Sequence, residues 1–157
     1  MKVVSADFAT QPAPDMLQAL GKVLVRAAQV EHLLRLLIKD LTKSTYHNGM
    51  GRTQFRSNLG ALERKLLALL QDKKYPRVQA LTTAEQAELA QIMASIKTCS
   101  TLRNALFHTC WAANFQGAVQ PVFDEFHTCC AQLMTQIEAF RQPRYHDKDS
   151  YTTYQPW

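Results

Sequence analysis

The string RNALFH brings Arg103, Asn104 and His108 within six residues, and these side chains are of the types that move protons and hold phosphates. An imidazole ordinarily titrates near neutral pH and serves as general acid or base. A guanidinium presents a planar fork of donors to phosphoryl oxygens as negative charge builds on them. Spacing adds a condition. Five residues at about 100° each leave Arg103 and His108 about 140° apart on a regular helix, so they meet in one cleft only if the helix end unwinds or if they face a second subunit.

Charge points to the class of partner. Between Lys22 and Arg77 the chain carries twelve basic and four acidic residues, a formal +8, while the remainder carries −3 of the total +5. A basic half of this kind favours a polyanion such as RNA, because phosphates attract Lys and Arg whatever the base sequence. At 157 residues, with 46% hydrophobic and 20% charged residues, the chain makes one compact domain with a real core, which excludes a two-domain enzyme and a disordered chain. No apolar run reaches the length of a membrane span, and the opening residues lack the apolar stretch of a signal peptide, so a cytoplasmic protein is expected.

The elements that must position these side chains are helices. Apolar residues recur at steps of three and four, with one gap at 31, through Leu17, Leu20, Leu24, Ala27, Leu34, Ile38 and Leu41, and this predicts a first helix over 15–42. Phe55, Leu59, Leu62, Leu66 and Leu69 predict a second over 54–73. Thr82 and Glu85 form a capping box ahead of Leu89, Ile92, Ile96, Cys99, Leu106 and Cys110, predicting a third over 83–110. Pro121 opens a fourth over 121–141, with Val122, Phe126, Cys129, Leu133, Ile137 and Phe140 on its stripe. The expected architecture is all-α, a four-helix up-and-down bundle over 15–141, between an N-terminal tail (1–14) and a flexible C-terminal tail (142–157).

Two charges interrupt these stripes. Glu31 falls between Ala27 and Leu34 in the first helix, and Arg103 between Cys99 and Leu106 in the third. An unpaired buried charge costs several kcal/mol, so the two are expected to pair across the bundle. The alternative is that Glu31 turns to the edge of its helix and meets Arg35, four residues on.

In these features the chain resembles the HEPN superfamily, helical-bundle domains whose ribonuclease members carry an Arg, four to six residues and then a His, commonly with a polar residue directly after the Arg. Arg103, Asn104 and His108 match that motif near the end of the third helix. Glu31 is similar to the acidic residue many members carry on their first long helix, and Trp111 to an aromatic that follows the motif in some. The resemblance implies an endoribonuclease of toxin or defence type that needs no metal or other cofactor. In such enzymes a 2′-hydroxyl attacks its neighbouring phosphate, leaving a 2′,3′-cyclic phosphate. It implies catalytic roles for His108 as proton carrier and Arg103 at the phosphate, with Asn104 holding either Arg103 or a phosphate oxygen and Glu31 orienting Arg103. It further implies a homodimer with a composite site, RNA as substrate and a cognate antitoxin as a possible protein partner.

Two other matches to the spacing, Arg26 to His32 and Arg141 to His146, lie in mid-helix and beyond the bundle and lack this context. One rival reading is a non-catalytic bundle of the same type that binds RNA, nucleotide or protein, with Arg103 and His108 as a polar core pair. A second would build a metal site from some of His32, His47, His108, His127 and His146 with the cysteines, but no ligand spacing fits. Cys99, Cys110, Cys129 and Cys130 contain no Cys-x-x-Cys pair and are expected to be buried thiols.

Overall fold

A computed structural model describes residues 14–43, 58–109 and 120–145, and all regular structure among them is helical. The helices are α1 (Pro14–Thr42), α2 (Leu59–Asp72), the single turn α3 (Pro76–Gln79), α4 (Thr83–Thr109) and α5 (Gln120–Arg141). The expected third and fourth helices are thus α4 and α5.

Local chemistry explains the ends. The side chain of Asn58 accepts from the backbone N–H of Ala61 at 3.0 Å and so caps α2. This start falls later than the expected residue 54, and the predicted stripe position Phe55 lies outside the described residues. Lys73 adopts a left-handed φ of 46° and stops α2. The turn α3 has only four residues, too few to show a period, and it is recognisable by Pro76 at its start and the burial of Val78.

The capping box of α4 forms in both directions. Thr82 donates its backbone N–H to Glu85 Oε2 at 2.8 Å, and Glu85 N–H returns to Thr82 Oγ1 at 3.2 Å. The Glu85 carboxyl is held below the ordinary glutamate range, first by the Thr82 N–H and next by Arg144. Its contribution to stability is therefore complete above the ordinary glutamate pKa and is lost as pH falls through the depressed folded value. Thr82→Ala removes the hydroxyl acceptor, and a loss of about 1 kcal/mol in urea denaturation is expected.

The helices pack in a ring: α1 against α2 and α5, and α4 against α2 and α5. Their inner faces supply a core that includes Val30, Leu34, Leu37 and Leu41 of α1, Leu62 and Leu66 of α2, Ile92 and Ile96 of α4, and Phe126, Leu133 and Phe140 of α5. The first half of α1 differs from its expected stripe. Ala27 is buried as expected, but Leu17 and Leu24 are about half exposed, at 53% and 52%, and Val23 and Val30 are buried instead. Leucines and valines stand on several faces there, so spacing alone does not select which one turns inward.

Contacts along the helices give their directions. Arg26 lies near Cys130 and Asp40 bonds Arg141, so α1 and α5 run the same way. Cys99 faces Cys129 and Glu85 faces Arg144, so α4 and α5 are antiparallel. Glu31 meets Leu59 at the start of α2, and Arg35 acts on Lys65 further along, so α1 and α2 are parallel. The expected up-and-down order therefore fails at the first connection. The stretch between Thr42 and Leu59 is long enough to carry the chain back along α1 before α2 begins.

The C-terminal segment also departs from expectation at its start. Arg144 Nε bonds Glu85 at 2.8 Å and its Nη2 bonds Glu88 at 3.0 Å, while the Tyr145 ring lies 6.2 Å from that of Phe140. Residues 146–157 lie outside the described residues.

Candidate functional site

Arg103, Asn104 and His108 all stand on unbroken α-helix, since α4 runs regularly to Thr109. Of the two routes by which Arg103 and His108 could share a cleft, unwinding of the helix end is thus absent. Projected down α4, Arg103, Phe107, Asn104 and His108 follow one another around an arc of about 140°. Arg103 is half-buried at one side of this arc, with its guanidinium 5.4 Å from the centre of the Phe107 ring. Asn104 and His108 are exposed at the other side, one turn apart. A polar core pair of Arg103 and His108 is therefore not what the fold builds.

The buried end of the arc is electrostatically loaded. Arg103 Nε is buried and has no hydrogen-bond partner among the described residues. Glu31 does not come within ion-pair distance of Arg103, as had been expected. It pairs instead with Arg35, Nη2 to Oε2, at 3.9 Å, the alternative that the i, i+4 spacing allowed. The reason lies in the rotation of α1, which carries Glu31 to the edge of the core beside the start of α2, where the Leu59 N–H donates to it. A carboxylate there also meets the positive end of the α2 dipole.

Burial nonetheless dominates and raises the Glu31 pKa, opposed by Arg35, then Arg103, then the Leu59 N–H. A raised folded pKa means that the neutral form is favoured by folding. The associated stability is complete below the ordinary glutamate pKa and is lost as pH rises through the folded value. Glu31→Gln is accordingly expected to melt at or above the parent temperature at neutral pH, with the difference vanishing in acid; a large drop at neutral pH would show that the Arg35 and Arg103 attractions outweigh burial.

Two cations that sequence reasoning did not assign to the site complete it. Arg35 of α1 acts both on Glu31 and on Lys65 of α2, whose pKa is lowered by burial and then by Arg35. Arg35 and Arg103, from two helices, thus act on the Glu31 carboxylate, and Lys65 of a third helix adds positive charge beside Arg35. Arg35 was visible as the i+4 neighbour of Glu31, but the approach of Lys65 has no local signal. Gly60 in the first turn of α2 lies near Ser100 Oγ, one turn before Asn104, so this end of α2 abuts the motif helix.

No family model, curated protein or solved structure matches the chain.

The rival spacings lead elsewhere. Arg26 bonds Gln29 at 3.2 Å, and the His32 pKa is lowered by burial and then by Arg35 and Arg141, which disfavours its charged form. Arg141 is committed to Asp40, and His146 lies outside the described residues, as do His47, Cys110 and Trp111. Among the described residues no group of three or more His, Cys, Asp or Glu could hold a metal ion, and no helix is long and apolar enough to cross a membrane. A cavity of about 340 Å³ between α2 and α4 is lined mainly by apolar residues, among them Leu70, Leu81, Leu89 and Met93. It begins roughly 15 Å along α4 from Arg103 and is not part of this cluster.

Proposed function

We propose that this chain is a metal-independent endoribonuclease of the HEPN type, acting as a homodimer on RNA. The observation that carries the reading is that a half-buried Arg103, on the same helix as exposed Asn104 and His108, acts together with Arg35 of α1 on Glu31, with Lys65 of α2 beside Arg35. Two guanidinium groups share one carboxylate and Lys65 adds a further cation next to Arg35, an excess of positive charge suited to the phosphate of an RNA backbone. His108 takes the proton of the attacking 2′-hydroxyl or supplies one to the leaving 5′-oxygen. Arg103 binds the phosphoryl oxygens, Asn104 adds a neutral donor at their edge, and Glu31 positions Arg103 through its field.

Regular helix at the motif supports the dimer. Within one copy the two side chains diverge by about 140°, so a second copy brings the missing His or Arg to each phosphate. A cognate antitoxin would act by covering this face or by competing with the second copy.

The reading is tested with purified protein, RNA and excess EDTA. Cutting of RNA, but not of the same sequence as DNA or with 2′-O-methyl groups, and products ending in a 2′,3′-cyclic phosphate are expected. A dimer that binds RNA and never cuts it, with or without metal, would reject catalysis. That outcome is the second reading, a non-catalytic RNA-binding bundle, and one observation favours it: no neighbour among the described residues hydrogen-bonds His108 and fixes its ring.

A further inference from the structure

Cys99 and Cys129 are thirty residues apart in the chain, and the absence of a Cys-x-x-Cys pair gives no hint that they meet. The antiparallel packing of α4 on α5 sets Cys99 Sγ 2.8 Å from Cys129 Sγ and 3.9 Å from Cys130 Sγ. Cys129 Sγ also lies 3.7 Å from the carbonyl oxygen of Ser95, one turn before Cys99. The cluster spans a gradient of access: Cys99 and Cys130 are fully buried, and Cys129 is only partly covered. A small oxidant therefore reaches Cys129 first, with Cys99 waiting directly behind it. Bringing the two sulfurs to the bonded separation of about 2.0 Å requires a shift of under about 1 Å. By the same measure Cys130 is further off.

We propose that Cys99 and Cys129 are a reversible oxidation site that takes a hydroperoxide and closes to a disulfide, tying α4 to α5. In the first step the Cys129 thiolate attacks a peroxide oxygen: an S–O bond forms, the O–O bond breaks, and the leaving oxygen departs as water once protonated. In the second step Cys99 sulfur attacks the sulfur of the Cys129 sulfenic acid. The S–S bond forms, the S–O bond breaks and a second water leaves. Two thiols and one hydrogen peroxide thus give one disulfide and two waters, and a dithiol reductant reverses the change by exchange. Burial pushes the Cys129 thiol up, and Cys99 helps offset this by donating to it. The site is independent of the ribonuclease reading, although the cross-link lies one helical turn before Arg103.

The test treats the folded, full-length protein with hydrogen peroxide, quenches it and maps cysteines without reduction. The expected result is a mass lower by two hydrogens and a link between the tryptic peptide containing Cys99 and that containing Cys129. Fragmentation locates the bond, and a Cys110→Ser/Cys130→Ser variant leaves Cys129 as the sole available partner. Closing a loop of this length is expected to raise the melting temperature by roughly 5–10 °C, reversed by dithiothreitol. Cys129→Ser should keep Cys99 free for alkylation after denaturation. A Cys99 that stays reduced in the oxidised parent, or a cross-link that forms equally fast in Cys129→Ser, would overturn the assignment. Because the first readout is made on the unaltered protein, it does not depend on any variant folding.

Discussion

Asp40→Ala is expected to lower the stability of the fold by about 3–5 kcal/mol, the usual cost of removing one partner from a buried ion pair. Asp40 Oδ2 accepts from Arg141 Nε at 2.7 Å, and the two side chains are only 3% and 5% exposed. Lys39 Nζ lies 3.5 Å from Oδ1, so one carboxylate serves two buried cations. Arg77 joins the same point from α3 by donating to the Asp40 carbonyl at 2.7 Å. Without the carboxylate, Arg141 retains, among the described residues, the more exposed Glu138 at 3.1 Å, and Lys39 loses its neighbour. Urea denaturation of the variant measures the loss. The paired replacement Asp40→Leu/Arg141→Met should recover much of it, because an apolar pair of similar size pays no charge desolvation. An Asp40→Ala protein with the parent's midpoint would show that water reaches the pair and that the ends of α1 and α5 are held by other contacts.

His108→Ala is expected to reduce RNA cleavage by about 10²–10⁴-fold, the range of a positioned general acid or base. Because His108 is exposed, its removal should change stability by no more than about 0.5 kcal/mol, so lost activity would not reflect lost folding. Arg103→Lys should also lose most activity, since a single ammonium does not reproduce a fork of donors over the phosphoryl oxygens. Lys65→Ala acts differently: binding to RNA should weaken and its dependence on salt should become shallower, as one phosphate contact is lost. The dimer hypothesis is tested by mixing Arg103→Ala and His108→Ala subunits. Recovered cutting in the mixture means that Arg103 of one copy works with His108 of the other. Cleavage that persists in His108→Ala alone would place the chemistry elsewhere.

Much of the local structure was legible in the chain because it depends on neighbours close in sequence. The capping box at Thr82 and Glu85, the proline at the start of α5 and the inner rows of α4 and α5 follow from turn chemistry and a 3.6-residue period. The sequence also singled out Glu31 and Arg103 as charges near the inner rows, and both are partly buried. Which charges would meet was not legible. Periodicity shows that a residue faces inward on its own helix but not how that helix is rotated or shifted against the next. Glu31 therefore met Arg35 and the start of α2, and the buried pair formed between Asp40 and Arg141, 101 residues apart.

The sequence by itself determined an all-helical chain with a basic first half and an Arg-x4-His string near the end of a long helix. Only the tertiary structure decided that α1 and α2 run parallel, that Lys65 comes beside Arg35 while Arg103 acts on Glu31, and that Cys99 lies against Cys129. The physical reason is the same in each case. Helix formation is settled by interactions within about four residues, whereas helix direction and rotation are set by loop length and by the core that all the helices bury together.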